Sequence, residues 1–168
     1  MRSQRRFIDG LCEIEIGGSG IDGVATHDQQ RLHFAGIQVL DELAGEGLPA
    51  AMPRLGMMVE VPAAALNIAA FALDFYSIGS NDLVQYVTAT SRDCAAVAAL
   101  HDPRDPAVLE LIGRVVAHGA ATGREVGLCG DMASDPRYLP ALLDLGLASL
   151  SVAPSRLAKV KAQIARHD

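Results

Sequence analysis

The sequence predicts an α/β fold: the C-terminal part of a (β/α)8 barrel, about four βα units preceded by a divergent N-terminal segment. Three observations carry this. From residue 55 onward short apolar runs alternate with amphipathic helical stretches, a pattern that implies a parallel sheet covered by helices. The units recur every ~25–30 residues, the length of a barrel unit. An acid, an amide and a guanidinium, Asp82, Asn81 and Arg92, follow the end of one run, and Glu60 and Cys129 stand at the ends of two others, where α/β folds carry their chemistry.

Met57-Met58-Val59-Glu60-Val61 is the first strand, a continuous apolar run with a single acid. Pro62 opens an Ala-rich helix, since proline at the first helical position gives up an N–H that has no partner anyway. Phe75-Tyr76-Ser77-Ile78 is the second strand, and Gly79 opens a loop that carries Asn81 and Asp82. Asp105 and Pro106 begin a helix as N-cap and first residue. Val108, Leu111, Ile112, Val115 and Val116 form one face of it, and Gly123 ends it.

Glu125-Val126-Gly127-Leu128-Cys129 is the third strand. Asp135-Pro136 starts the next helix, with Leu139, Leu142 and Leu143 on its apolar face and Gly146 at its end. Ser149-Leu150-Ser151-Val152 is the fourth strand. Pro154 opens a final helix that turns Leu157, Val160 and Ile164 inward. Lys159, Lys161 and Arg166 lie toward its C-terminus, where cations meet the negative end of the helix dipole.

Residues 36–168 therefore read as the barrel part and residues 1–35 as an unassigned segment. Ile37, Leu40, Leu43 and Ala44 predict an amphipathic helix ending near Gly45–Gly47. Cys12-Glu13-Ile14-Glu15-Ile16 alternates like a strand, and Gly17–Gly20 reads as a turn or linker. Four units are half a barrel. The isolated half leaves sheet edges and apolar helix faces unpaired, so a homo-oligomer is expected.

Composition narrows the class. Half of the 168 residues are hydrophobic and a fifth are charged, which suits a globular chain with a real core. Aromatics are scarce and Trp is absent, so Ala, Leu, Val and Ile must build that core. The net charge of −6 argues against nucleic acid as the main partner. No apolar run reaches the ~18 residues of a membrane span, and no signal peptide is read at the basic N-terminus. Cys12, Cys94 and Cys129 have no metal-like spacing and no disulfide framework, which places the chain in a reducing cytoplasm.

Each chemistry-bearing residue has two readings when taken alone. Glu60, an acid on an apolar strand, needs a cation or hydrogen-bond partner. A Mg²⁺ site sharing substrate oxygens supplies one, and a structural salt bridge supplies another. Asp82 reads as a second metal ligand and Asn81 as a donor to a phosphate oxygen, yet an Asn-Asp pair beside Gly also reads as a simple turn. Arg92 has the planar fork that suits phosphate or carboxylate, or is a solvated surface charge. Cys129 is an inert packing residue, or a thiol at a strand mouth that delivers a proton to an enolate.

The combination is more specific than its parts. Gly56-Met57-Met58-Val59-Glu60-Val61-Pro62-Ala63-Ala64-Ala65 resembles a signature of the phosphoenolpyruvate-utilising enzymes. So do Phe75-Tyr76-Ser77-Ile78-Gly79-Ser80-Asn81-Asp82-Leu83-Val84-Gln85-Tyr86 and Gly127-Leu128-Cys129-Gly130-Asp131-Met132-Ala133. Within that family the motifs are most similar to Enzyme I, the phosphoenolpyruvate–protein phosphotransferase of the bacterial sugar phosphotransferase system. Asp102-Pro103-Arg104-Asp105-Pro106-Ala107-Val108-Leu109 resembles Enzyme I more than pyruvate phosphate dikinase. The resemblance covers about residues 55–165.

What the resemblance implies is a barrel that binds phosphoenolpyruvate and Mg²⁺ at its strand ends. Carried over by motif, Glu60 and Asp82 are the Mg²⁺ ligands. Asn81, Asp82 and Arg92 bind the substrate, with Asn81 and Arg92 on its phosphate. Cys129 protonates the departing enolpyruvate to give pyruvate. The implied partner is a phosphocarrier protein or a separate acceptor-histidine domain. None of His27, His33, His101, His118 or His167 matches the family's phosphate-accepting segment, and Arg2, Arg5, Arg6 and Arg31 do not match the arginines of its earlier strands. The expectation is thus family activity that this chain does not complete alone. The alternatives are a non-catalytic phosphoenolpyruvate- or metal-binding assembly module, and a dikinase- or synthase-type relative with a nucleotide domain.

Overall fold

In a computed structural model the chain is described over residues 38–49, 51, 54–91 and 94–167. The expected strand at Cys12–Ile16, the linker after it and the whole 1–35 segment lie outside the described residues, and so does Arg92.

Helix α1 covers residues 38–45, as the spacing of Leu40, Leu43 and Ala44 predicts. Strand β1 follows at Gly56–Val59, then helix α2 at Pro62–Leu66 and a 3₁₀ turn at Ile68–Ala70. Strand β2 (Phe75–Gly79) runs straight into helix α3 (Ser80–Thr88). After a second 3₁₀ turn at Ala98–Leu100 comes the long helix α4, Pro106–Thr122. Strand β3 (Glu125–Cys129), helices α5 (Asp131–Ser134) and α6 (Leu139–Asp144), strand β4 (Ser149–Leu150) and helix α7 (Pro154–His167) complete the order.

The four strands form one sheet in the order β1-β2-β3-β4, and every neighbouring pair is parallel. Register divides each strand into two faces. Val59, Tyr76, Ile78, Val126, Leu128 and Leu150 point one way and are buried. Strands β2 and β3 pack against α4, whose Val108, Ile112 and Val115 are wholly inaccessible. Fully burying such side chains contributes ~1.5–3 kcal/mol each, and this apolar layer holds the sheet to its helices. The opposite face carries Met58, Glu60, Phe75, Gly127 and Cys129, which all keep partial exposure. One face of the sheet is thus an apolar core, while the other mixes Met58 and Phe75 with Glu60, Cys129, glycines and the buried Ser77 and Ser149.

The capping of α4 follows the sequence. The Asp105 carboxylate accepts the Ala107 N–H at 2.8 Å, Pro106 fills the first turn, and Gly123 closes the helix at φ +68°. Three expected boundaries are corrected. The first strand ends at Val59 rather than Val61. No helix starts at Asp135-Pro136: Asp135 accepts the Arg137 N–H at 2.9 Å, a side-chain-to-backbone turn that competes with helix, and α6 begins only at Leu139. The helix that does form there, α5, precedes that turn. The fourth strand ends at Leu150 rather than Val152. One further ladder bond, Ser151 N–H to the Leu128 carbonyl at 2.9 Å, finishes the pairing.

Candidate functional site

The C-terminal ends of β1, β2 and β3 are level. Val59 pairs with Ile78 and Gly79 pairs with Cys129, so Glu60, Gly79 and Cys129 form a row across the sheet on its polar face. Gly79 makes the row possible. A Cβ there would stand 2.9 Å from the Glu60 Cβ, 3.1 Å from Glu60 Oε2 and 3.2 Å from Met58 Sδ. The hydrogen in its place leaves that volume to the Glu60 carboxylate. On the other side of Gly79 the half-buried Cys129 thiol donates to the Ile78 carbonyl at 3.6 Å and lies 3.9 Å from Met58 Sδ.

Asn81 and Asp82 are not in a loop, and that expectation is corrected. Helix α3 starts at Ser80, directly after β2, with Gly79 as its N-cap. Burial of Leu83 and Val84 rewards helix here, and Ser, Asn and Asp suit a first turn. The consequence is chemical. The cap has no side-chain acceptor, so the first-turn N–H groups of α3 open at the strand ends beside the Glu60–Gly79–Cys129 row. Such a terminus favours an anion. Asp82 lies in that same turn.

The β3–α5 turn is fastened to the start of α3. Ser80 Oγ donates to the Cys129 carbonyl at 2.6 Å. Asn81 Oδ1 accepts the Asp131 N–H at 2.9 Å, which leaves the Asn81 amide nitrogen as the donor to anything above it. Between these bonds Gly130 has φ +95° and ψ −172°, a conformation essentially confined to glycine. Neither Ser80 nor Asp131 stands out in the sequence. The available signal was a glycine directly after a strand-end cysteine; the buried hydroxyl that meets it is visible only in three dimensions.

The structure therefore brings Glu60, Asn81, Asp82 and Cys129 to one end of one sheet. Among the described residues no group of three or more His, Cys, Asp or Glu is placed to hold a metal. Beyond Asn81, on the helix side, lies a cavity of about 550 Å³ lined by Ser80, Asn81, His101, Asp131, Arg137, Arg156 and Lys159 among others. Neither Glu60 nor Cys129 lines it. On its wall the Arg137 guanidinium, followed by the Arg137 backbone N–H, holds the Asp135 carboxyl down at a pKa of about 2. Nearby, the Arg104 backbone N–H lowers the Asp102 carboxyl.

Residues 29–168 match the family model described as PEP-utilising enzyme, PEP-binding domain. The chain belongs to the phosphoenolpyruvate-utilising enzymes. A phosphoenolpyruvate-protein phosphotransferase of a Bacillus species is 46% identical over 113 residues, 66% of this chain and 20% of that protein. The enzyme of the same name from Cupriavidus necator is 44% identical over 127 residues, 74% of this chain and 21% of that protein. Multiphosphoryl transfer protein 1 of Escherichia coli is 41% identical over 130 residues, 76% of this chain and 16% of that protein. This family member thus spans about a fifth of the length of the relatives it matches. A HpcH/HpaI aldolase/citrate lyase family protein from Burkholderia cenocepacia superimposes with a TM-score of 0.47 at 20% identity, over 68% of this chain and 42% of that one. Among the described residues no helix is long and apolar enough to cross a membrane.

Proposed function

We propose that this chain forms part of the substrate site of an Enzyme I-like phosphoenolpyruvate–protein phosphotransferase, a cytoplasmic enzyme that passes the phosphoryl group to a protein histidine and releases pyruvate. The observation that carries the reading is the row Glu60–Gly79–Cys129 at the mouth of the sheet, flanked by the open first turn of α3. An acid, a proton donor and an anion-binding helix end stand together there.

The donor set fits Mg²⁺. That ion takes one or two carboxylates and completes its shell with substrate oxygens and water, rather than a cage of protein ligands. Glu60 and Asp82 are those carboxylates, and the missing Cβ at Gly79 keeps space beside the first. Bound Mg²⁺ neutralises charge on the transferring phosphoryl group. The first-turn N–H groups of α3 and the Asn81 amide nitrogen would bind the phosphate, and the family resemblance adds Arg92 to them. As the phosphorus–oxygen bond breaks and the nitrogen–phosphorus bond forms on the acceptor imidazole, the bonding pair stays on the enolpyruvate oxygen. Cys129 gives its proton to C3 of the enolate, which becomes the methyl group of pyruvate, and the thiolate regains a proton from water. Proton delivery to carbon makes the transfer hard to reverse. The acceptor histidine is assigned to a phosphocarrier protein or a separate domain, in a sugar or a nitrogen-regulatory phosphorelay.

Calorimetric titration of phosphoenolpyruvate into the purified chain, with and without Mg²⁺ and with an Asp82→Ala control, tests this. Binding that requires both Mg²⁺ and Asp82 is the expected result. A folded chain that binds nothing under any of these conditions overturns it for the isolated chain and moves the non-catalytic assembly module ahead.

A further inference from the structure

Ser80 is a serine with no accessible surface, and nothing in the proposed chemistry uses it. Its hydroxyl donates at 2.6 Å to the carbonyl of Cys129, the residue whose thiol is to deliver the proton. Next to that carbonyl is Gly130, at a φ of +95°. A Cβ on Gly130 would collide with Ser80 Oγ and stand 2.8 Å from Asn81 Oδ1. The peptide joining Cys129 to Gly130 is therefore held from one side by the Ser80 hydroxyl, and the space it occupies exists only because residue 130 has no side chain.

We propose that Ser80 is the positioning residue for the Cys129 thiol, fixing the peptide plane from which the proton donor projects. The argument is geometric. A side chain projects from Cα in a direction set by the backbone on both sides. The β-ladder fixes the N-terminal side of Cys129, where Gly79 is its partner. Past Cys129 the sheet ends and the chain turns, so the C-terminal side has no ladder to hold it. The Ser80 hydrogen bond supplies that constraint at the first peptide, one peptide before the Asn81–Asp131 bond, and the thiol then stands at 3.6 Å from the Ile78 carbonyl rather than swinging into solvent. A proton donor must be held within hydrogen-bond reach of the carbon it protonates, and a fixed backbone is how that reach is kept. Because α3 also carries Asn81 and Asp82, one helix start sets both the phosphate grip and the proton donor.

The inference rests on the proposed function, and its test separates the two. In a Cys12→Ser, Cys94→Ser background, Cys129 is the single thiol, and its alkylation by iodoacetamide at fixed pH is followed by mass spectrometry. Ser80→Ala is expected to raise that rate by about fivefold, the factor that one net hydrogen bond carries. Ser80→Thr, which keeps a hydroxyl, restores the slow rate, and Ser80→Val, of the same shape without it, does not. The Thr and Val pair decides the matter if the alanine variant does not fold. Phosphoenolpyruvate affinity with Mg²⁺ is measured in parallel as a separate readout of the α3 terminus. Folded Ala and Val variants that alkylate within about twofold of the parent overturn the positioning role whether or not phosphoenolpyruvate binds. A strong hydroxyl dependence with no phosphoenolpyruvate binding upholds the positioning of the thiol and overturns the functional reading.

Discussion

Asn81 Oδ1 accepts the backbone N–H of Asp131 at 2.9 Å, across 50 residues of sequence. The bond gives the amide one orientation. Its oxygen is spent on the α5 turn, which leaves its nitrogen as the donor to a ligand. The residue proposed to donate to phosphate is thereby oriented by the turn that follows β3.

Asn81→Asp separates these two jobs. The carboxylate still accepts from Asp131, so the thermal midpoint should stay close to the parent. The donor is lost and a negative charge faces the phosphate, so affinity for phosphoenolpyruvate should fall by at least ~10-fold. Asn81→Ala loses both functions and should also cost about 1 kcal/mol of stability, because the Asp131 N–H loses its acceptor. Calorimetry and thermal melts on the two variants check this. Equal affinities for parent and Asn81→Asp would remove Asn81 from the phosphate grip.

Gly79→Ala targets the other side of the row. The new methyl would sit 2.9 Å from the Glu60 Cβ, closer than real Cβ contacts come, and a tight 3.1 Å from its carboxylate oxygen. The Glu60 carboxylate must move, and overpacking of this kind costs ~1–3 kcal/mol. The Mg²⁺ dependence of phosphoenolpyruvate binding should weaken or vanish, while Asn81 and the α3 terminus stay in place. A Mg²⁺ titration at constant phosphoenolpyruvate reads this out. An unchanged Mg²⁺ midpoint in a folded variant would count against Glu60 as a ligand.

Much of this was legible in the sequence, for definable reasons. Alternating apolar runs and helical faces place β1, β2, β3, α4 and α7 because both periods are strong there, and Pro106 and Gly123 bracket α4. The start of α3 was misread as a loop because Gly-Ser-Asn-Asp is turn-like in composition; burial of Leu83 and Val84 decides for helix, and burial is a tertiary fact. The helix expected from Asp135 failed for the converse reason. An Asp-Pro pair suits a helix start, but Asp135 turns its carboxylate onto Arg137 instead. At the site, Glu60 and Cys129 stand out as polar residues ending apolar strands. The space between them depends on register across Gly79, which no single stretch of sequence encodes.

The core layer offers a test of the fold that is independent of function. Ile112 on α4 and Leu128 on β3 are both fully buried on the helix side of the sheet. Truncating either to alanine should destabilise the chain by ~2–5 kcal/mol, the range for deleting a large buried aliphatic side chain. Leu66→Ala, on an exposed position of α2, should change stability by no more than ~0.5 kcal/mol. Urea denaturation of the three variants measures the contrast, and similar losses at all three would contradict the assigned faces.

Asp135 gives the fold a defined acid sensitivity. Its carboxyl is lowered from 3.8 to about 2, first by the Arg137 guanidinium and then by the Arg137 backbone N–H, with Lys159 adding a smaller attraction. A carboxyl that titrates lower in the folded chain than in the unfolded one binds fewer protons when folded. Its contribution to stability is therefore complete above the ordinary value of 3.8 and is lost as the pH falls through about 2. Arg137 is 72% exposed, so solvent screens the pair and the effect is small. Carboxyl-carbon NMR shifts should show Asp135 titrating near 2 in the parent. In Arg137→Ala, which removes the guanidinium but keeps the backbone N–H, the midpoint should move part of the way back toward 3.8. A midpoint that stays at about 2 in that variant would assign the shift to the backbone turn alone.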